Sequence, residues 1–88
     1  MGAPTGRLLV RPLRYSSGVT LAVEFDRESD GRWLADIPSL PGVMAYGSSR
    51  EDAFSRVKAL ALHVLADMIE HGELPEPPDS VVFTQAAA

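Results

Sequence analysis

Cysteine is absent from this chain, so neither a disulfide nor a thiolate-held metal can contribute to its fold or chemistry. Long apolar runs are missing too. Leu8-Leu9-Val10 is cut short by Arg11 and Pro12, which leaves no secretory core. Nowhere do the roughly 18 apolar residues needed to span a bilayer follow one another. A soluble, cytoplasmic protein with no membrane partner is the expectation. Glycine-rich phosphate cradles are lacking, and Gly42 and Gly47 stand singly at strand boundaries, where backbone geometry accounts for them. There is no GxSxG turn for a nucleophile. The two histidines, His63 and His71, are eight residues apart, over two helical turns, and form no HxxxH pair. Among the aromatics, Trp33 and Phe25 fall on the expected core face, and Tyr46 alone does not make a nucleic-acid stacking platform. No catalytic residue, cofactor or metal site is expected.

What is present is an 88-residue chain, enough for one domain. A domain of this size buries only about 60–65% of its unfolded surface, so self-association would add useful buried area. The net charge of −4 is unevenly spread. Residues 1–18 carry Arg7, Arg11 and Arg14 and no acid, while residues 19–88 set five Lys or Arg against 12 acids. The reading is a partly ordered basic arm over 1–18 and a single acidic domain over 19–85. An acidic body repels nucleic-acid phosphates and attracts basic partners.

Within the domain, Val19, Leu21, Val23 and Phe25 alternate with Thr20, Ala22 and Glu24, the period of a half-buried strand. Asp30-Gly31 offers a positive φ at the reversal. Arg32–Ile37 then returns as a second strand with Trp33, Ala35 and Ile37 on one face. Pro38 and Pro41 stiffen a short connection, and Val43–Tyr46 is a third strand closed by Gly47. Ser48 with Glu51, or Ser49 with Asp52, has capping-box spacing and opens a helix that runs to about His71 before Gly72. Ala53, Val57, Leu60, Ala61, Val64, Met68 and Ile69 form the stripe expected to face the sheet. Val81–Phe83 reads as a short fourth strand.

This order predicts an α+β fold: a three-stranded antiparallel sheet, one covering helix and a short extra strand. One helix covers one sheet face. The other would present Thr20, Ala22, Leu34 and either Met44 or Ala45, with Tyr46 pointing outward, and an apolar patch of that kind marks an interface. Ala59, Leu62 and Ala66 also widen the helix stripe beyond what one sheet needs. Ala22, Leu34, Met44, Tyr46 and Leu62 are therefore the candidate partner-binding residues, and a homo-oligomer is expected. The acids Glu24, Asp26, Glu28, Asp30 and Asp36 crowd one turn and its flanks. A solvated hairpin is the simpler reading; a metal-dependent nuclease is the alternative.

Three features in order resemble the HicB-like antitoxin family: the Asp30-Gly31 turn with Trp33 behind it, the run IPSLPGVMAYG, and the capped helix beginning SREDA. The matching region runs from about Phe25 to Pro75, with PSLPG its most specific part and GELPEP its exit. The resemblance implies a partial ribonuclease-H-like fold without that enzyme's catalysis. It also implies a partner, a small basic mRNA-cleaving toxin of the HicA type whose active site the antitoxin covers. Many such antitoxins add a C-terminal DNA-binding domain. Only five residues follow Phe83, so no direct DNA binding is expected. A stand-alone homo-oligomer with another partner is the alternative within the same family.

Overall fold

The structure is a computed structural model that describes residues 18–74 and 76–86. The N-terminal arm lies outside the described residues apart from Gly18, which begins the first strand. The elements are β1 (Gly18–Arg27), β2 (Trp33–Asp36), β3 (Met44–Gly47), α1 (Arg50–Glu70) and β4 (Ser80–Gln85). They form an α+β fold with one four-stranded mixed sheet, in the order β3-β2-β1-β4, under a single helix. The three antiparallel strands and the extra strand arrive as expected. The extra strand forms one edge of that sheet. β4 lies parallel to β1, with Val19 opposite Val81 and Leu21 opposite Phe83.

The β1–β2 hairpin closes through a tight turn in which the Gly31 N–H donates to the Glu28 carbonyl at 2.9 Å. Gly31 takes φ 94°, the left-handed conformation glycine adopts without steric cost. Register then places Phe25 against Ala35 and Arg27 against Trp33. The PSLPG run folds as two successive turns, with Leu40 N–H donating to the Ile37 carbonyl and Val43 N–H to the Leu40 carbonyl. Pro41 presets the second turn and Gly42, at φ 85°, supplies its positive angle. Ile37 N–H donates to the Val43 carbonyl at 3.0 Å, which seals the loop and starts the β2–β3 ladder.

Helix α1 begins at an N-cap, Ser49, whose Oγ accepts from the Asp52 N–H at 3.0 Å. The Asp52 carboxylate accepts in turn from the Ser48 N–H, also at 3.0 Å. Of the two candidate capping pairs, Ser49 with Asp52 is the one formed. At the other end Gly72 adopts φ 71°, and Glu73 N–H donates to the Met68 carbonyl while Gly72 N–H donates to that of Ile69. This pair of bonds is a Schellman stop, which satisfies carbonyls the helix would otherwise leave open.

The core is Leu21, Val23, Ala35, Ile37, Val43, Ala53, Val57, Ala61 and Leu65, with Phe25, Trp33, Phe54, Val81 and Phe83 packed at its edges. Full burial of Ile37 alone contributes about 1.5–3 kcal/mol. Of the expected helix stripe, Val64 and Met68 pack only at the edge of this core, and Leu60 at 36% and Ile69 at 38% exposure lie outside it, whereas Leu65 is buried. The buried line follows the i, i+4 row through residues 53, 57, 61 and 65. That row drifts around the helix by about 40° per step, so its far end takes in Leu65 and leaves Ile69 outside.

Candidate functional site

Strand geometry sends alternate residues of each strand to opposite faces, and only one face of this sheet lies under α1. On the other face Leu34 sits opposite Tyr46 and Asp26, and Asp36 sits opposite Met44 and Glu24. Met44 is 46% and Tyr46 44% exposed, Ala22 is exposed and Leu34 is half-buried. Four of the five candidate partner-binding residues thus share one surface. Of the two options for the third strand, Met44 faces out and Ala45 packs inward. Leu62, the fifth, is 49% exposed but projects from the helix layer, away from the other four. It belongs to a separate surface.

Val82 extends the sheet face and was not among the candidates. It is 50% exposed and stands opposite Thr20. Both Val81 and Val82 are apolar, so alternation gave no way to say which would face out. The register of β4 against β1 decides it.

Tyr46 is held in place. The guanidinium of Arg32 stacks on its ring at 4.2 Å, and Arg32 Nε donates to Asp30 at 2.8 Å. The Arg32 N–H also donates to Asp30, and this backbone bond, reinforced by the side-chain pair, holds the Asp30 carboxyl below its ordinary range. Asp30, Arg32 and Tyr46 therefore form a short chain of contacts from the hairpin turn onto the sheet. Tyrosine and arginine are residue types enriched where proteins bind one another, because they combine large contact area with a polar tip.

The acids divide in two. Asp30 is taken up by Arg32, whereas Glu24, Asp26 and Asp36 lie on the open face among the apolar side chains. Glu24 and Asp36 are direct cross-strand partners, an arrangement that like charges make unfavourable. Among the described residues, no three His, Cys, Asp or Glu side chains come together as a cation site. His71 pairs with Asp67 at the end of α1, at 3.3 Å, and His63 lies on the exposed side of the helix. No helix among the described residues is long and apolar enough to cross a membrane.

The arrangement is thus an apolar strip (Ala22, Leu34, Met44, Tyr46, Val82) flanked by three carboxylates and anchored by one stacked arginine. Such a surface suits a partner that brings apolar side chains and positive charge together. Comparison of the chain with protein-family models, with curated proteins and with solved structures yields no match.

Proposed function

We propose that this chain is a HicB-like, antitoxin-type binding module that sequesters a small basic mRNA-cleaving toxin of the HicA type on its open sheet face. One observation carries the reading: large apolar side chains stand uncovered on that face, interleaved with the carboxylates of Glu24, Asp26 and Asp36. The order β-β-β-α-β, with three antiparallel strands and a further one, also supports the partial ribonuclease-H-like fold that the sequence resemblance implies. The reading assigns no catalysis to this chain; its action is to cover a surface of the toxin.

The test is a titration of a purified HicA-type toxin with this protein, followed by calorimetry and by cleavage of an RNA substrate. Stoichiometric binding and loss of cleavage are expected. The double substitution Met44→Asp, Tyr46→Asp should abolish both while leaving the circular dichroism spectrum unchanged. Absence of binding would refute the reading, and so would binding that the double substitution leaves intact.

A further inference from the structure

The second exposed apolar surface lies on α1 and has an order of its own. Ala59, Leu62, Ala66 and Ile69 follow one another at spacings of three, four and three residues, the repeat that keeps one seam along a helix. All four are exposed, Leu62 at 49% and Ile69 at 38%. Ala59, Leu62 and Ala66 lie well round the helix from the Ala53, Val57, Ala61, Leu65 line that meets the sheet, and Ile69 borders the end of that line. Ala59, Leu62 and His63 line a shallow hollow on this seam. Small and large residues alternate along it.

We propose that two copies of this chain pair antiparallel through this seam. An antiparallel two-fold centred near Val64 sets Ala59 against Ile69 of the second copy and Leu62 against its Ala66. Every layer then joins one small and one large side chain, so the two helices stay at uniform separation. A parallel pair would stack Ala59 on Ala59 and Leu62 on Leu62, leaving gaps and bulges in turn.

Charge selects the same register. Arg56, His63 and Glu70 share one flank of the seam, seven residues apart. The antiparallel two-fold brings Arg56 beside Glu70 of the second copy, twice by symmetry, and sets the two His63 side chains next to the axis. Arg56 is 63% exposed and already bonds Asp52 at 3.1 Å, so its guanidinium would bridge Asp52 and the incoming Glu70. The sheets end up on the outside of the pair. A dimer would therefore present two copies of the Met44–Tyr46 face, and the pairing stands independently of what that face binds.

Light scattering and sedimentation test the pairing, with the full chain expected to be dimeric. Leu62→Glu should raise the dimer dissociation constant at least about 100-fold, because two leucines leave the seam at once, without changing the helical circular dichroism. Arg56→Glu and Glu70→Arg should each weaken association about tenfold, and the two together should restore it. Because the chain has no cysteine, His63→Cys introduces a single thiol. A short bismaleimide should join two His63→Cys copies. It should not join two Arg56→Cys copies, which antiparallel pairing holds about 24 Å apart along the helix axis. A monomeric wild type, a dimer indifferent to Leu62→Glu, or failure of the exchanged charges to restore pairing would each overturn the proposal.

Discussion

Gly47→Ala should be among the most damaging single-methyl changes in this protein, although Gly47 needs no unusual backbone angle. Gly47 ends β3 directly beneath the start of α1. A Cβ placed there would overlap the Ala53 nitrogen and lie 2.7 Å from Ala53 Cα and 2.8 Å from the Asp52 carbonyl carbon. Optimal carbon contacts are about 3.5–4.0 Å, so the helix start would have to retreat by about 1 Å. The atoms in the way are backbone, and no side chain can rotate to make room. Retreat would loosen Ala53 and Val57 in the core and stretch the Ser49–Asp52 cap. Overpacking of this kind costs about 1–3 kcal/mol, and rigid obstacles place the expectation near 3 kcal/mol. For a domain of this size that lowers the melting temperature by about 12–24 °C. Gly31→Ala is the control. Gly31 has open space around it and φ 94°, so its substitution should cost only about 1–2 kcal/mol of backbone strain. Urea unfolding followed by far-ultraviolet circular dichroism measures both. If Gly47→Ala proved as mild as Gly31→Ala, the close approach of helix and strand would be wrong.

Further outcomes follow from the same geometry. Ser49→Ala removes the cap of α1 and should cost about 1 kcal/mol in urea unfolding, with little change in the folded spectrum. Glu24→Gln should act in opposite directions in two assays. Relief of the repulsion with Asp36 should stabilise the fold by up to about 1 kcal/mol, while calorimetry should show weaker binding of a basic partner. Acid titration should report on Asp52 and Asp30. The Ser48 N–H and Arg56 hold Asp52 below the usual carboxylate value of 3.8, and the Arg32 N–H does the same for Asp30. Their folded values lie below their unfolded ones, so each contributes stability above that ordinary value and loses it as pH falls through the lowered one. Melting temperatures from pH 5 downward should accordingly fall less steeply in Asp52→Asn than in the wild type. Equal slopes would mean that the Ser48–Asp52 bond does not persist in solution.

Local signals wrote much of this molecule in the sequence. Asp30-Gly31, PSLPG, Ser49 with Asp52, and Gly72 each specify a turn or a helix end through the conformational limits of the residues involved. Every one of them appears where the sequence puts it. Alternation along β1 and β2 likewise fixed which residues face the core, because a strand's side chains cannot change face without shifting the whole register. Strand ends were less legible: β1 runs to Arg27 and β4 from Ser80 to Gln85, since pairing with a neighbour extends a strand beyond its own apolar pattern.

What the tertiary structure decided is how these pieces share surfaces. The sequence left either Met44 or Ala45 to join Ala22, Leu34 and Tyr46 on the sheet face, and the pairing of β3 with β2 turned Met44 outward, while Leu62 stayed on the helix, as its place in the stripe had it. The drift of the buried row around α1 assigned Leu65 to the core and freed Ile69 for that seam, a matter of packing angle that periodicity alone does not give. Val82 joined the open face through the register of β4 on β1, which sets it opposite Thr20. Gly47 looked like a strand boundary and proved to be the place where two backbones nearly touch. Propensity and turn chemistry act over a few neighbouring residues and can be read along the chain. Face, register and approach distance depend on segments dozens of residues apart, and they exist only once the sheet and helix have met.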